Sequence, residues 1–186
     1  MIDTSISVLV VDDVATMRRI LSDLLKRAGF ENVETAESPP RAIQLLEQKT
    51  FGLVVSDWHM EGTTGLDLLN TIRGTPALRD IPVILISAES NEKNSAAAKN
   101  AGASGYLVKP FNSDTLKATI TEAFELRDLG QTVYKGCVLM PQGDNTEYRC
   151  HILKDGTAIA VSSTHPSRHE AIDEAKLWVD QTGRLR

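Results

Sequence analysis

Four short apolar runs in this chain each end on a polar or charged side chain. Ile6-Ser7-Val8-Leu9-Val10-Val11 runs into Asp12-Asp13. Phe51-Gly52-Leu53-Val54-Val55-Ser56 runs into Asp57, and Ile81-Pro82-Val83-Ile84-Leu85-Ile86 into Ser87. Gly105-Tyr106-Leu107-Val108 runs into Lys109-Pro110. Runs this short and continuously apolar fit strands buried on both faces, as in a parallel sheet covered by helices. In such an open sheet the C-terminal strand ends converge on one crevice, where ligands bind. The pattern therefore gathers three carboxylates, a hydroxyl and an ammonium at one place.

The segments between the runs fit that reading. Residues 14–28 carry Ile20, Leu21, Leu24 and Leu25 at helical spacing, and Gly29 is a stop. Residues 32–36 read as a short strand. Residues 41–48 are helical, with Pro39-Pro40 where a helix starts. Residues 58–64 read as a loop, and 66–72, 94–100 and 113–126 as helices. Five successive strand–helix units predict an α/β fold with a five-stranded, doubly wound parallel sheet and right-handed crossovers over residues 1–129.

After a polar linker at 127–131 the pattern changes. Residues 133–140, 147–154 and 157–163 are strand-like, and Asp155-Gly156 is a strong two-residue hairpin signal. Ser167 and Glu170 predict a capping box for a helix to about Thr182, with Gly183 as its stop. Residues 130–186 thus read as a small α+β module, a three-stranded antiparallel sheet plus one helix. A first hairpin centred between Gly143 and Asp144 sets Cys137 opposite Cys150. Val133, Cys137, Leu139, Tyr148, Cys150, Ile152, Ile159 and Val161 then share a face covered by Ile172, Ala175 and Val179. Tyr134, Val138, Met140, Arg149 and His151 fall on the open face.

Bulk properties exclude several classes. Hydrophobic content of 41% and charged content of 24% are those of an ordinary globular protein. No stretch approaches the roughly 18 apolar residues of a membrane span, and an apolar leader is absent, so a cytoplasmic location is expected. Two cysteines are too few for a disulfide scaffold or a four-ligand zinc site. They read as packed small hydrophobes, with a redox pair as the alternative. The net charge of −5 lies wholly in residues 1–129, with 13 basic and 18 acidic side chains. Residues 130–186 hold seven of each. An acidic first domain suits cations and basic partners and disfavours nucleic acid.

Asp12, Asp13 and Asp57 repel one another, so their site demands a cation or raised pKa values. Oxygen-only ligands in small number suit Mg2+. Asp57 is then a nucleophile giving an aspartyl phosphate, with the Lys109 ammonium and Ser87 hydroxyl available to phosphoryl oxygens.

The stretches VVDDVATMRRIL, VSDWHM, GLDLLNTIR and AESNEKNSAAAKNAGASGYLVKPF carry a family resemblance. Residues 1–129 resemble response-regulator receiver domains, closely those of the chemotaxis type. The resemblance implies a flavodoxin-like fold and phosphorylation of Asp57 by a histidine kinase, with no enzyme activity beyond assisting its own phosphorylation and dephosphorylation. It implies Mg2+ held by Asp13 and Asp57, with Asp12 helping through water and the His59 main-chain carbonyl completing the set. A cis Lys109–Pro110 bond follows, as does a switch coupling Ser87 to Tyr106. The responding surface is residues 90–100, 106–108 and 113–126, where a flagellar-motor switch protein or another protein target binds. A phosphatase is a further partner of this type.

Four positions depart from the chemotaxis pattern: His59 replaces a usual Asn, Glu61 a usual Pro, and Pro39-Pro40 a common Asp-Gly. Residue 59 and Glu89 are expected beside the phosphoryl group as modulators of dephosphorylation. An inert loop histidine is the alternative for His59, and an amphipathic edge residue for Tyr106. The tail only loosely resembles small sheet-type DNA readers. The competing functions are therefore a chemotaxis relay, a transcriptional regulator with the tail as output, and a phosphate sink.

Overall fold

The computed structural model describes residues 3–90, 92–128, 131–134, 137–143 and 147–183. The chain divides into two compact units, Met1–Phe124 and Glu125–Arg186. None of the described helices is long and apolar enough to cross a membrane.

In the first unit the strands are β1 (Val8–Val11), β2 (Val33–Ala36), β3 (Leu53–Asp57), β6 (Val83–Ser87) and β7 (Gly105–Val108). They form one parallel sheet in the order β2-β1-β3-β6-β7. The helices are α1 (Ala15–Arg27), α2 (Pro39–Gln48), α3 (Gly65–Gly74), α4 (Glu92–Asn100) and α5 (Ser113–Asp128). Every residue of β1, β3 and β6 is buried, which explains their unbroken apolar character. Alternate side chains feed two cores. Leu9, Val11, Val54 and Leu85 pack with Ala42, Leu45, Leu68 and Ile72 of α2 and α3. Val8, Val10, Val55, Ile84 and Ile86 pack with Leu21, Leu25, Leu116 and Ile120 of α1 and α5. Ile20, grouped with the apolar stripe of α1 by spacing, is 44% exposed and outside the core.

Local signals set the boundaries. Ser38 Oγ accepts the Arg41 N–H at the start of α2, behind Pro39 and Pro40. Thr64 and Asp67 cap α3 reciprocally. The expected loop at 58–64 contains a minimal two-stranded ladder, β4 (His59–Met60) with β5 (Thr63–Thr64), turning at Gly62 with φ +77°.

The second unit contains the expected three strands and helix, with the first expected strand divided in two. Strand β8 (Thr132–Tyr134) folds back on β9 (Cys137–Gly143), followed by β10 (Tyr148–Lys154), β11 (Thr157–Val161) and α6 (Arg168–Gly183). The antiparallel sheet runs β11-β10-β9-β8. At the start of α6, Ser167 Oγ accepts the Glu170 N–H at 3.3 Å.

Two register expectations are corrected. Cys150 lies opposite Pro141, and Leu139 opposite Ile152, so Cys137 does not face Cys150. The shift is even, so Cys137, Leu139, Cys150 and Ile152 remain on one face, packed with Ile172, Ala175 and Val179. Both cysteines are free and buried, and burial pushes the Cys150 thiol up to about 11. Between β10 and β11 the expected turn forms, with Asp155 and Gly156 both at positive φ. A one-residue bulge at Ile159 then pairs Ile152 with Ala160. The bulge reverses the strand's faces. Ala160 packs against the core, and Ile159 and Val161 are 44% and 48% exposed. Tyr134, expected on the open face, packs against the core because β8 pairs it with Cys137. Its hydroxyl donates to the Asp180 carboxylate at 3.1 Å. The Val133 side chain and the expected hairpin centre at Asp144 lie outside the described residues.

Candidate functional site

The strand order places β1 and β3 side by side at the point where the winding reverses. Asp12 and Asp13 follow β1, Asp57 closes β3, Ser87 closes β6 and Lys109 follows β7. Main-chain bonds extend the ladder into these ends: Asp12 N–H to Ala36 O (3.2 Å), Trp58 N–H to Ile86 O (2.7 Å) and Lys109 N–H to Ser87 O (2.8 Å). The crevice is thus built on hydrogen-bonded strand ends.

Asp57 is 7% exposed. Its Oδ1 is 2.5 Å from Lys109 Nζ, and its Oδ2 accepts the His59 N–H at 2.8 Å. Lys109 Nζ also lies 3.8 Å from Asp12 Oδ2. One ammonium therefore serves two carboxylates. Asp12 is 1% exposed, and its Oδ1 accepts the Val14 N–H at 2.8 Å. Its Oδ2 is buried without a hydrogen-bond partner. Burial chiefly, and then the negative charges of Asp57 and Asp13, raise the Asp12 pKa against the opposing Val14 bond and Lys109. Asp13 is exposed, and its Oδ2 accepts the Glu61 N–H at 3.0 Å. That bond ties the β4–β5 segment to the acidic pair.

Ser87 is fully buried, and its Oγ accepts the Glu89 N–H at 3.1 Å. The Glu89 carbonyl accepts the Tyr106 hydroxyl at 3.1 Å, and the Glu89 carboxylate accepts from Asn94 Nδ2 at 3.0 Å. Ser87 and Tyr106 are thus joined through the main chain of one residue, while the Glu89 side chain turns to α4. His59 is exposed, and its main-chain N–H supplies its contact with Asp57. The Lys109–Pro110 bond is cis.

Three participants escaped the motif reading. The Trp58 indole is 7% exposed and meets the Tyr106 ring edge-on at 6.0 Å. Arg18 Nη1 donates to the carbonyls of Asp12 (2.6 Å) and Asp13 (3.1 Å). Gly65 donates to Trp58 O at 2.9 Å, and a Cβ there would collide with the Asp57 carbonyl oxygen. Only Gly65 had a legible signal, its place beside the Thr64–Asp67 capping pair.

The geometry has a counterpart among known proteins. The model for the response regulator receiver domain matches residues 8–121, and the chain belongs to that family. The chemotaxis protein CheY-3 of Vibrio cholerae is 40% identical over 124 residues, covering 67% of this chain and 95% of that protein. Chemotaxis protein CheY of Pseudomonas aeruginosa is 41% identical over 118 residues, covering 63% and 95%. The solved structure of Vibrio cholerae CheY4 has 31% identity and a TM-score of 0.60, covering 64% of this chain and 98% of that one. Response regulator TrrA of Thermotoga maritima, solved in complex with Mg2+ and BeF, has 32% identity and a TM-score of 0.56. It covers 63% of this chain and 97% of that one.

Receiver domains bind Mg2+, and the residues here fit that ion. A buried carboxylate oxygen without a hydrogen-bond partner, sharing one ammonium with Asp57 and beside a third carboxylate, is a site short of positive charge. Among the described residues no three acidic, histidine or cysteine side chains already close into a metal cage. An ion that keeps several of its waters and takes few carboxylates needs no such cage.

Proposed function

We propose that Asp57 accepts a phosphoryl group from a phosphohistidine of a partner histidine kinase, and that the phosphorylated chain binds a protein target in chemotaxis-type signalling. The Asp57 carboxylate carries this reading: it is nearly buried, held by Lys109 and the His59 N–H, and set beside an Asp12 oxygen that no hydrogen bond satisfies.

An Asp57 oxygen attacks phosphorus in line. The P–O bond forms as the P–N bond breaks, and the donor imidazole leaves with the electron pair. Lys109 sits where it balances charge on a phosphoryl oxygen as well as on Asp57. Ser87 has its own hydroxyl proton to donate to another. Asp13 and Asp57, with Asp12 through water and the His59 carbonyl, would hold Mg2+, whose charge would offset the negative charge gathered at the site. His59 flanks the approach of hydrolytic water, and Glu89 joins it once its carboxylate leaves Asn94 on α4. An unchanged decay rate of the phosphorylated His59→Asn variant would remove that role.

The switch follows from the Glu89 bonds. A Ser87 hydroxyl drawn toward the phosphoryl group gives up the Glu89 N–H. The Glu89 carbonyl holding Tyr106 is then released too, so the ring against Trp58 has a reason to change place. The surface that reads this out is α4, β7 and α5. The similarity to proteins named for chemotaxis supports a flagellar-motor switch protein as the target.

The test is capture of protein targets by the full-length chain in Mg2+ and beryllofluoride, with Asp57→Asn as control. Capture of a motor-switch protein by the activated wild type alone supports the relay. Activation-dependent retention of DNA instead would favour a transcriptional regulator.

A further inference from the structure

We propose that Arg18 is a positioning residue for the acidic pair, clamping the main chain that aims Asp12 and Asp13 into the crevice. The proposal rests on reading Asp12, Asp13 and Asp57 as the magnesium site.

Past Val11 the chain leaves the sheet. The Asp12 N–H still bonds to Ala36 O, whereas the carbonyls of Asp12 and Asp13 accept from a side chain. Arg18, on the first turns of α1, reaches back to both with one nitrogen, at 2.6 and 3.1 Å. With the Val14 N–H on Asp12 Oδ1 and the Glu61 N–H on Asp13 Oδ2, each acid is held at its main chain and at one carboxylate oxygen. The remaining oxygen of each is left for a cation. A carboxylate's direction follows its Cα–Cβ bond, so turning the 12–13 peptide would swing both acids together.

Arg18 also brings a positive charge near a cation site, and that charge alone repels Mg2+. Clamp and charge therefore predict opposite signs. If aim dominates, removing the guanidinium weakens Mg2+ binding; if charge dominates, it tightens it. The hydrogen bonds go to two carbonyls, and partners that orient a metal's ligands are typically worth 10–100-fold in affinity.

The experiment is a Mg2+ titration of the full-length chain, followed by Trp58 fluorescence with Trp178→Phe as the common background. Unfolding of the Mg2+-free protein is recorded for every variant. Arg18→Met is expected to raise the Mg2+ Kd about tenfold or more. Arg18→Lys, which keeps the charge on a shorter side chain with less reach to the two carbonyls, is expected to raise it by a smaller factor. Unchanged or tighter binding in Arg18→Met overturns the proposal. Should Arg18→Met fail to fold, Arg18→Lys decides by the same criterion. Asp13→Asn separates the two claims. If it abolishes the response while the Arg18 variants bind like wild type, only the Arg18 proposal fails. If Asp13→Asn binds like wild type, the magnesium site itself is misassigned.

Discussion

Gly65→Ala should cripple phosphoryl acceptance from a residue that touches no substrate. A Cβ at Gly65 would overlap the Asp57 carbonyl oxygen and stand 3.1 Å from both the Asp57 carbonyl carbon and Leu85 Cδ2. The overlapped atoms of Asp57 are main chain and the Leu85 methyl is packed in the core, so relief requires α3 and the end of β3 to part by about 1 Å. Overpacking of this kind costs ~1–3 kcal/mol. Stretching the Gly65 N–H bond to Trp58 O adds ~1 kcal/mol. Better helix propensity returns at most ~1 kcal/mol. The net loss is about 1–3 kcal/mol, or roughly 4–12 °C in Tm for a unit of this size. A shift of that size at Asp57 is also worth about 10²-fold in rate. The assay is phosphorylation of the full-length chain by a small-molecule phosphodonor, alongside thermal unfolding. Gly74→Ala is the control, because a Cβ there meets nothing within 4 Å. If Gly65→Ala matches wild type in Tm and rate, the close approach of α3 to Asp57 is not what fixes the acceptor.

Other perturbations act on separate terms. In Mg2+-free buffer, Asp12→Asn should raise Tm at pH 7, because the Asp12 carboxyl is held above its ordinary 3.8. A raised carboxylate loses stability as pH rises past its unfolded value, so the gain should vanish near pH 4 in a melting series. Glu174 has the opposite sign. The His165 ring (2.5 Å) and the Ser163 hydroxyl (2.7 Å) hold its pKa below 4.5. Glu174→Gln should lower the second unit's Tm at pH 7, and the difference should fade as pH falls below about 4.5. Arg73 donates to the carbonyls of Gly102, Arg79 and Ile81 at 2.8–2.9 Å. Burial pulls its guanidinium down to about 10, and it stays charged at neutral pH. Arg73→Met should cost ~3 kcal/mol in denaturant unfolding by stranding those carbonyls.

How much of this was readable depended on whether a feature was written in local pattern or in pairing. Strands β1, β3 and β6 are buried on both faces, so unbroken apolar runs marked them, and topology carried their polar ends to one crevice. Asp12, Asp13, Asp57, Ser87 and Lys109 could therefore be singled out by position. The Arg18 clamp and the Trp58–Tyr106 contact could not, because they depend on side-chain reach. In the tail the alternation identified Leu139, Cys150 and Ile152 as inward-facing, and an even register error left that face unchanged. The bulge at Ile159 has no composition signal in Thr157–Val161, and one extra residue reversed everything after it. The two-residue ladder of β4 and β5 is too short to show periodicity at all.

Mapping the phosphoryl group bears most directly on the central claim. The full-length chain, incubated with Mg2+ and a small-molecule phosphodonor, would be trapped by borohydride reduction of any acyl phosphate and sequenced by mass spectrometry. The prediction is one modified residue, Asp57, with no modification when Mg2+ is omitted or in Asp57→Asn. Modification of Asp12 or Asp13 in place of Asp57, or an undiminished yield in Asp57→Asn, would contradict Asp57 as the acceptor.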